Sequence, residues 1–361
     1  MADRRSVSAV HRRRLTDLRS RLDRAGADAM LVTCPADQFY LTGATIEDSA
    51  VLVTPQAVVI VTDSRFGEQL RRQVPWAKRV LRTGQLADAV AGVVRNSRSI
   101  RTLAAQAEHV AVAAFRELTR KLKPARLKPT TGLLAEARLV KDASEIRCIE
   151  RAIATAESAF GATRRHVKPG ATEREIAAEL VYRMQRAGAS GASFEPTVAV
   201  GANAALPHAR PGATRVRASQ AVLIDWGARV DGYCSDLTRV VELSRVPAKV
   251  REIRDVVLEA QRAGIDAVRP GASSREVDKA ARDVIERAGY GNRFGHGLGH
   301  GIGLDIHEGP RLSPQSDATL AAGMVVTIEP GIYIPGIGGV RIEDDVLVTR
   351  TGHRVLTNLA K

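Results

Sequence analysis

Single carboxylates stand at the ends of apolar runs in the C-terminal part of this 361-residue sequence. Asp225 follows the apolar residues 221–224, and Asp236 comes eleven residues later, beyond a turn predicted at Gly232. That length suits a hairpin, which would bring the two carboxylates together. Glu329 closes another apolar run in the same way. A carboxylate beside a buried strand is costly unless something compensates its charge, so these residues are candidates for chemistry.

A glycine-rich segment lies between these two regions and contains three histidines. His296, His300 and His307 fall within twelve residues, with glycines at every second position from 295 to 303. Such glycines permit close backbone approach and unusual dihedral angles, and the segment is predicted to form the wall of a cleft. It matches neither G-x-G-x-x-G nor a Walker lysine motif, which excludes those nucleotide-binding loops.

A further pair of charged residues follows near the C-terminus. Arg341 and Glu343 are two residues apart, which places both side chains on one face of a strand. Taken singly, each candidate has a structural explanation as a strand end, a salt-bridge partner or a core histidine. Four carboxylates and a histidine together form an oxygen-rich set suited to two divalent metals. Carboxylates can bridge such ions at about 3.5–4 Å and so activate a shared water.

Composition limits the remaining alternatives. The chain is 44% apolar and 26% charged, as expected for a globular protein of two domains, and its apolar runs are too short for a membrane span. No signal sequence is apparent, so a cytoplasmic location is expected. Three cysteines without a close pair fit neither a disulfide framework nor a cysteine zinc site. H-E-x-x-H and G-x-S-x-G are absent, which argues against zincins and serine hydrolases.

The net charge of +14 is concentrated in the first 140 residues. A solvated basic face explains this better than a nucleic-acid site, because only 4% of residues are aromatic and no nucleic-acid motif is recognisable. In the same part, residues 10–25 have helical periodicity, and residues 50–54 and 58–62 are predicted strands joined by a turn. Residues 121–129 are basic and interrupted by prolines, which predicts a loop or linker. The first domain is placed at residues 1–138.

An internal repeat constrains the second domain, residues 139–361. Residues 167–188 align without gaps with residues 268–289, and nine of 22 positions are identical. The second helix of each copy is predicted to begin at a capping box. These boxes are Thr172 with Glu175 and Ser273 with Glu276. Two helix–helix–strand halves predict a pseudo-symmetric α+β domain with helices on an antiparallel sheet and ligands supplied by both halves.

With these motifs in place, the sequence resembles the pita-bread metallopeptidases, the superfamily of methionine aminopeptidase, aminopeptidase P, prolidase and creatinase. The resemblance rests on His296-Gly-Leu-Gly-His300, Gly303-Leu-Asp-Ile-His307-Glu and Arg341-Ile-Glu-Asp, which are most similar to bacterial Xaa-Pro peptidases. It implies an α+β chain with a C-terminal pita-bread (creatinase/aminopeptidase) domain. A smaller α/β creatinase-type N-terminal domain would precede it.

The resemblance also implies a set of metal ligands. Asp225 would chelate one ion, Asp236 and Glu343 would bridge two ions, and His300 and Glu329 would complete the second. All five positions carry the residue that the family pattern requires. The implied cofactor is a pair of divalent ions, with Mn²⁺ favoured and Co²⁺, Zn²⁺ or Fe²⁺ as alternatives.

Roles beyond metal binding follow from the same resemblance. Glu329 would be the general base for a hydroxide between the ions, and His307 would stabilise the oxyanion. His208 would contribute to catalysis and, with His296, line the substrate pocket. His307 and Arg341 would also bind the substrate, and Arg341 would in addition support the bridging Glu343.

The implied activity is that of an Xaa-Pro aminopeptidase, in which the bridging hydroxide attacks the bond between an N-terminal residue and proline. An Xaa-Pro dipeptidase (prolidase) is the alternative. A non-catalytic pita-bread protein that binds nucleic acid or a partner through its basic N-terminal domain is less favoured. The expected partners are a proline-containing peptide and a second copy of the chain in a homodimer, with neither a membrane nor a nucleic acid.

Overall fold

A computed structural model describes residues 7–97 and 99–361, which divide into two compact units, Met1–Ala137 and Arg138–Lys361. Among the helices in these described residues, none has the length and apolar character needed to cross a membrane.

The first unit is an α/β arrangement around one sheet. Its elements are α1 (Ala9–Arg24), β1 (Ala29–Val32), α2 (Pro35–Thr42), β2 (Ala50–Val53), β3 (Val58–Thr62), a 3-10 turn (Ser64–Phe66), α3 (Gly67–Gln73), β4 (Lys78–Leu81), α4 (Leu86–Arg95), β5 (Thr102–Gln106), α5 (Val112–Lys121), β6 (Arg126–Thr130) and α6 (Leu133–Ala137).

The six strands of this unit lie in the order β4-β3-β2-β1-β5-β6. Strands β2 and β3 form the predicted antiparallel hairpin, whereas β1, β5 and β6 are parallel neighbours. The prediction of a loop over residues 121–129 is wrong for its second half, because β6 begins at Arg126. This strand lies at the edge of the sheet, where Pro129 is tolerated because an outward-facing backbone position needs no N–H donor.

The second unit contains four long helices and several small antiparallel sheets. Its elements are α7 (Ala143–Thr163), a 3-10 turn (Arg164–His166), α8 (Glu173–Arg186), β7 (Gly191–Ala192), β8 (Thr197–Val200), a 3-10 turn (Gly201–Ala205), β9 (Ala221–Trp226), β10 (Ala228–Val230), β11 (Tyr233–Cys234), β12 (Leu237–Glu242), α9 (Ala248–Ala267), α10 (Ser274–Arg287), a 3-10 turn (Gly291–Arg293), β13 (Gly299–Gly301), β14 (Glu308–Leu312), β15 (Val325–Ile328), β16 (Gly331–Ile334), β17 (Gly338–Arg341), β18 (Asp344–Val348) and β19 (His353–Val355).

The repeat predicted from the sequence is visible as two equivalent helix pairs. Helices α8 and α10 each have 14 residues, and each begins at a complete capping box, with Thr172 or Ser273 as the N-cap. The capping-box predictions are therefore confirmed. Each box satisfies two N–H groups at its helix start, that of the N-cap residue and that of the third helical residue.

Each half has a hydrophobic core of its own. In the first half, α7 and α8 pack on β8, β9 and β12 around the fully buried Trp226. In the second half, α9 and α10 pack around Ile328 and Val346 of the sheet β14-β13-β15-β18-β19. An isolated bridge between Thr238 and Glu343 connects the strands of the two halves. The carboxylates at these strand ends therefore come from both copies of the repeat.

Candidate metal centre

Asp225 and Asp236 are positioned by one antiparallel hairpin. Strands β9 and β12 pair so that Thr238 lies opposite Asp225. The connection turns at Asp231 and Gly232, whose φ angles are 49° and 84°. Positive φ at two successive residues, Asp then Gly, is typical of a type I′ turn. The hairpin brings Asp225 close enough to Asp236 for its charge to contribute to the raised pKa of Asp236.

Arg341 and Glu343 join this hairpin through Thr238. The Thr238 hydroxyl donates to Glu343 Oε2 at 2.6 Å and accepts from Arg341 Nε at 3.1 Å. Arg341 Nη2 also binds Asp225 Oδ2 at 2.6 Å. Strand pairing is interrupted at Ile342, but Arg341 and Glu343 still face the same side, as predicted. The buried arginine therefore contacts Asp225 directly.

His300 faces the carboxylates from β13. Its Nε2 lies 3.3 Å from Glu329 Oε1 and 3.6 Å from Asp236 Oδ2. Its Nδ1 lies 3.0 Å from the carbonyl oxygen of Gly301, so a proton on Nδ1 leaves the lone pair of Nε2 directed at the carboxylates. The Thr327 hydroxyl donates to Glu329 at 3.1 Å and accepts from the backbone N–H of His300. These bonds fix the orientation of two of the predicted ligands.

Two glycines of this segment, Gly299 and Gly301, allow other backbone segments to approach closely. A Cβ atom on Gly299 would lie 2.0 Å from the Thr327 carbonyl oxygen, and one on Gly301 would lie 1.9 Å from the Gly309 carbonyl oxygen. No heavy atom lies within 4 Å of the equivalent position at Gly295. None of the glycines at 295, 297, 299, 301 and 303 has a positive φ, so the expectation of unusual dihedral angles is wrong here. Close backbone contact explains Gly299 and Gly301, but not Gly295.

The donor set fits cations. Burial, reinforced by neighbouring carboxylates, raises the pKa of Asp236 and of Glu343 well above their ordinary values. Asp225 Oδ1 and Glu343 Oε1 are buried without a hydrogen-bond partner in the part of the chain that the structure describes. Ligand atoms of Asp236, His300 and Glu343 lie within 4.8 Å of one another. Unsatisfied carboxylate oxygens beside an imidazole nitrogen are suited to divalent metal ions.

The three histidines predicted beside the centre lie on different segments. His296 Nε2 is 3.0 Å from the Tyr333 hydroxyl, which accepts a hydrogen bond from Arg341 Nη1 at 2.8 Å. The ring of His307 is exposed and packs edge-on to His300, with centroids 4.4 Å apart. His208 is exposed, and the carbonyl oxygen of the preceding Pro207 accepts from Arg341 Nη1. Together with the five ligand positions, every predicted residue therefore lies in or around one centre.

Three functional neighbours were missed from the sequence. Thr238 joins Arg341 to Glu343, and Tyr333 joins Arg341 to His296. Asp345 is fully buried, and its Oδ2 accepts from the backbone N–H of Asp236 at 3.1 Å. All three stand within four residues of predicted ligands, which was the available signal in the sequence.

Comparisons with known proteins agree with this geometry. Residues 147–350 match the model of metallopeptidase family M24, and residues 14–140 match the Creatinase/Prolidase N-terminal domain. The structure of an Xaa-Pro dipeptidase from Bacillus anthracis is similar with a TM-score of 0.93 and 38% identity, over 97% of this chain and 98% of that chain.

Two further relatives cover nearly the full length. The structure of an X-Pro aminopeptidase from Thermotoga maritima MSB8 has a TM-score of 0.88 and 36% identity, over 94% of this chain and 98% of that chain. An Xaa-Pro dipeptidase of Pyrococcus horikoshii is 34% identical over 339 residues, 93% of this chain and 94% of that protein. The chain therefore belongs to metallopeptidase family M24. It has a creatinase-type N-terminal domain, followed in the sequence by the pita-bread fold of the family's Xaa-Pro peptidases.

Proposed function

We propose that this metallopeptidase hydrolyses the bond between an N-terminal residue and proline, with two divalent cations bound by Asp225, Asp236, His300, Glu329 and Glu343. The observation that carries the proposal is the convergence of these donors, with buried carboxylate oxygens that lack hydrogen-bond partners among the described residues. The Xaa-Pro bond is a tertiary amide without an N–H, so a peptidase that binds this donor handles it poorly.

The cations, with Mn²⁺ as the favoured metal, would supply positive charge that polarises the scissile carbonyl and lowers the pKa of water. Glu329 accepts the proton of the attacking water. Its carboxylate is oriented for this by Thr327 and lies beside His300. A group that moves this proton needs a fixed position, which these contacts provide.

His307 donates an N–H to the oxyanion that develops on the scissile carbonyl. Desolvation of the ring and the neighbouring His300 lower the pKa of His307, which favours the neutral imidazole as the hydrogen-bond donor. His296 and His208 line the substrate pocket, His296 being held by Tyr333. Arg341 keeps Asp225 in place through their 2.6 Å ion pair.

Two peptide specificities remain as candidates. Xaa-Pro aminopeptidase activity is the first, and the relative from Thermotoga maritima supports it. Xaa-Pro dipeptidase activity is the second, and the relatives from Bacillus anthracis and Pyrococcus horikoshii support it. We propose that residues 139–361 form the catalytic domain, while residues 1–138, in a homodimer, determine how long a peptide is admitted. Sedimentation equilibrium tests the dimer, and a monomer at assay concentrations would contradict it.

The decisive assay compares an Xaa-Pro dipeptide with an Xaa-Pro-Yaa tripeptide, each with Mn²⁺ and with a chelator. Cleavage of both supports an aminopeptidase, and cleavage of the dipeptide alone supports a prolidase. Asp236→Asn should abolish turnover, whereas the matched variant Asp231→Asn, at an exposed turn, should retain it. Cleavage of neither peptide under any condition would refute the proposal and favour a binding protein.

A further inference from the structure

A second group of metal-ligating side chains lies in the unit Met1–Ala137, apart from the residues assigned to the peptidase centre. Cys34 Sγ, a carboxylate oxygen of Asp37 and a ring nitrogen of His109 all lie within 4.8 Å of one another. Cys34 and Asp37 are buried, with 4% and 3% of their surface exposed, and His109 is exposed. We propose that these three residues form a separate binding site for a zinc-like divalent cation.

The position in the sheet favours a ligand site. Strands β1 and β5 are parallel neighbours, with Leu31 opposite Ala105. Cys34 follows the carboxyl end of β1, and His109 follows the carboxyl end of β5. In open α/β sheets, ligands bind in the crevice outside the carboxyl ends of parallel strands. The topology therefore brings the thiol and the imidazole to the edge where such sheets bind ligands.

One buried residue, Gln106, makes hydrogen bonds to all three candidate residues. Its Oε1 accepts from the backbone N–H of Cys34 at 3.0 Å, and its Nε2 donates to Asp37 Oδ2 at 2.5 Å. Its backbone oxygen accepts from the N–H of His109 at 3.1 Å. A hydrogen bond to a ligating carboxylate from outside the site orients that ligand. These bonds position the backbone of Cys34 and of His109 and the carboxylate of Asp37 before any ion binds.

The chemistry of the donors selects the class of ion. A thiolate, an imidazole and a carboxylate are the donor types of zinc sites, whereas Mg²⁺ and Ca²⁺ take oxygen donors. Three protein ligands leave a fourth position for water, and the exposed side of His109 gives access to it. The peptidase centre is oxygen-rich by contrast, so the two sites should differ in metal preference.

Zinc stoichiometry of the full-length chain tests the proposal. The protein is stripped with a chelator, dialysed against Zn²⁺ and analysed by elemental mass spectrometry, in an Asp236→Asn background that impairs the peptidase centre. Cys34→Ser and His109→Ala should each bind one zinc ion fewer per chain than their parent. The matched control Cys148→Ser, a half-buried cysteine in the other unit, should bind as much as the parent.

Cobalt substitution supplies an independent readout. With Co²⁺ in place of Zn²⁺, thiolate ligation produces a charge-transfer absorption band, which should be present in the parent and in Cys148→Ser and absent in Cys34→Ser. His109→Ala changes an exposed side chain, so it reports on the site even if Cys34→Ser unfolds. Equal zinc content in the parent and His109→Ala, or a parent without the band, would overturn the proposal. Neither result depends on peptidase activity.

Discussion

A buried ion cluster formed by Glu308, Arg138 and Lys141 allows a quantitative prediction of stability. Glu308 follows His307 and has only 8% of its side chain exposed. Its carboxylate contacts Arg138 Nη2, lies 3.3 Å from Lys141 Nζ and accepts from the backbone N–H of Asp305 at 3.0 Å. The side chains of Arg138 and Lys141 are 7% and 1% exposed. Glu308→Gln would therefore leave two buried cations without this counter-charge.

The magnitude follows from that burial. Removing one partner of a buried ion pair costs about 3–5 kcal/mol, because the remaining charge is left uncompensated. The lower end applies here, since the amide still accepts from the Asp305 N–H and Arg138 keeps a 2.7 Å bond to Asp305 Oδ2. For a unit of about 220 residues, about 3 kcal/mol lowers the melting temperature by about 6–12 °C.

Calorimetry of the metal-loaded chain measures the shift, which should affect the transition of the unit Arg138–Lys361. The matched control is Asp317→Asn, because the Asp317 carboxylate is 85% exposed and pairs with Arg275 at the surface. This substitution should lower the unfolding free energy by about 1 kcal/mol or less. An equal shift in both variants would refute the reasoning.

The pH dependence gives a second check on Glu308. Burial alone would raise its pKa, but Lys141 and Arg138 bring the net pKa below its ordinary value of 4.5. A lowered folded-state pKa stabilises the protein above the unfolded-state pKa, and this contribution is lost as pH falls. The difference in unfolding free energy between the parent and Glu308→Gln should therefore become smaller as the pH falls. A difference that becomes larger in acid would contradict the assignment.

Three further predictions concern the metal centre. Gly301→Ala should weaken Mn²⁺ binding by about 10- to 100-fold in calorimetric titration, because its Cβ would clash with the neighbouring strand and displace a ligand. Gly295→Ala, which has open space, should bind like the parent, and equal losses would refute the explanation. In the metal-stripped protein, burial raises the pKa of Asp345 to about 8, so the folded state binds the extra proton. The unfolding free energy of the metal-stripped protein should therefore fall by about 1.4 kcal/mol per pH unit, from this group alone, as the pH rises toward 8. A rise in the denaturation midpoint over this range would contradict the prediction. Arg341→Lys should lower kcat about 10- to 100-fold, because lysine lacks the planar fork that binds Asp225 together with other acceptors, and parent-like turnover would exclude this role.

Local signals made part of this structure predictable. The repeat and its capping boxes depend on contacts within a few residues, and both helices begin where the boxes indicate. The turn at Asp231 and Gly232 is also local, so the hairpin that carries Asp225 and Asp236 could be predicted from its length. The metal-ligand assignment required more, because it came from family resemblance rather than from periodicity.

Contacts between distant segments could not be predicted in this way. Thr238 and Glu343 are 105 residues apart, and their hydrogen bond depends on how strands of the two halves meet. Residues 121–129 show the same limit, since a basic segment with prolines resembles a linker until a neighbouring strand is present to pair with it. The edge position of β6 is a property of the sheet and has no local signal.

The charge balance of the centre links folding to metal binding. Asp225, Asp236, Glu343 and Asp345 lie in or against the same centre, and Arg341 is a buried cation that contacts one of them. Burial raises the pKa of each of these four carboxyl groups. At neutral pH, the metal-free fold must therefore either take up protons or keep unfavourable buried charge. Cations that bind only the folded chain relieve this penalty, so the carboxylates that prepare the centre for chemistry also make the stability of the fold depend on metal.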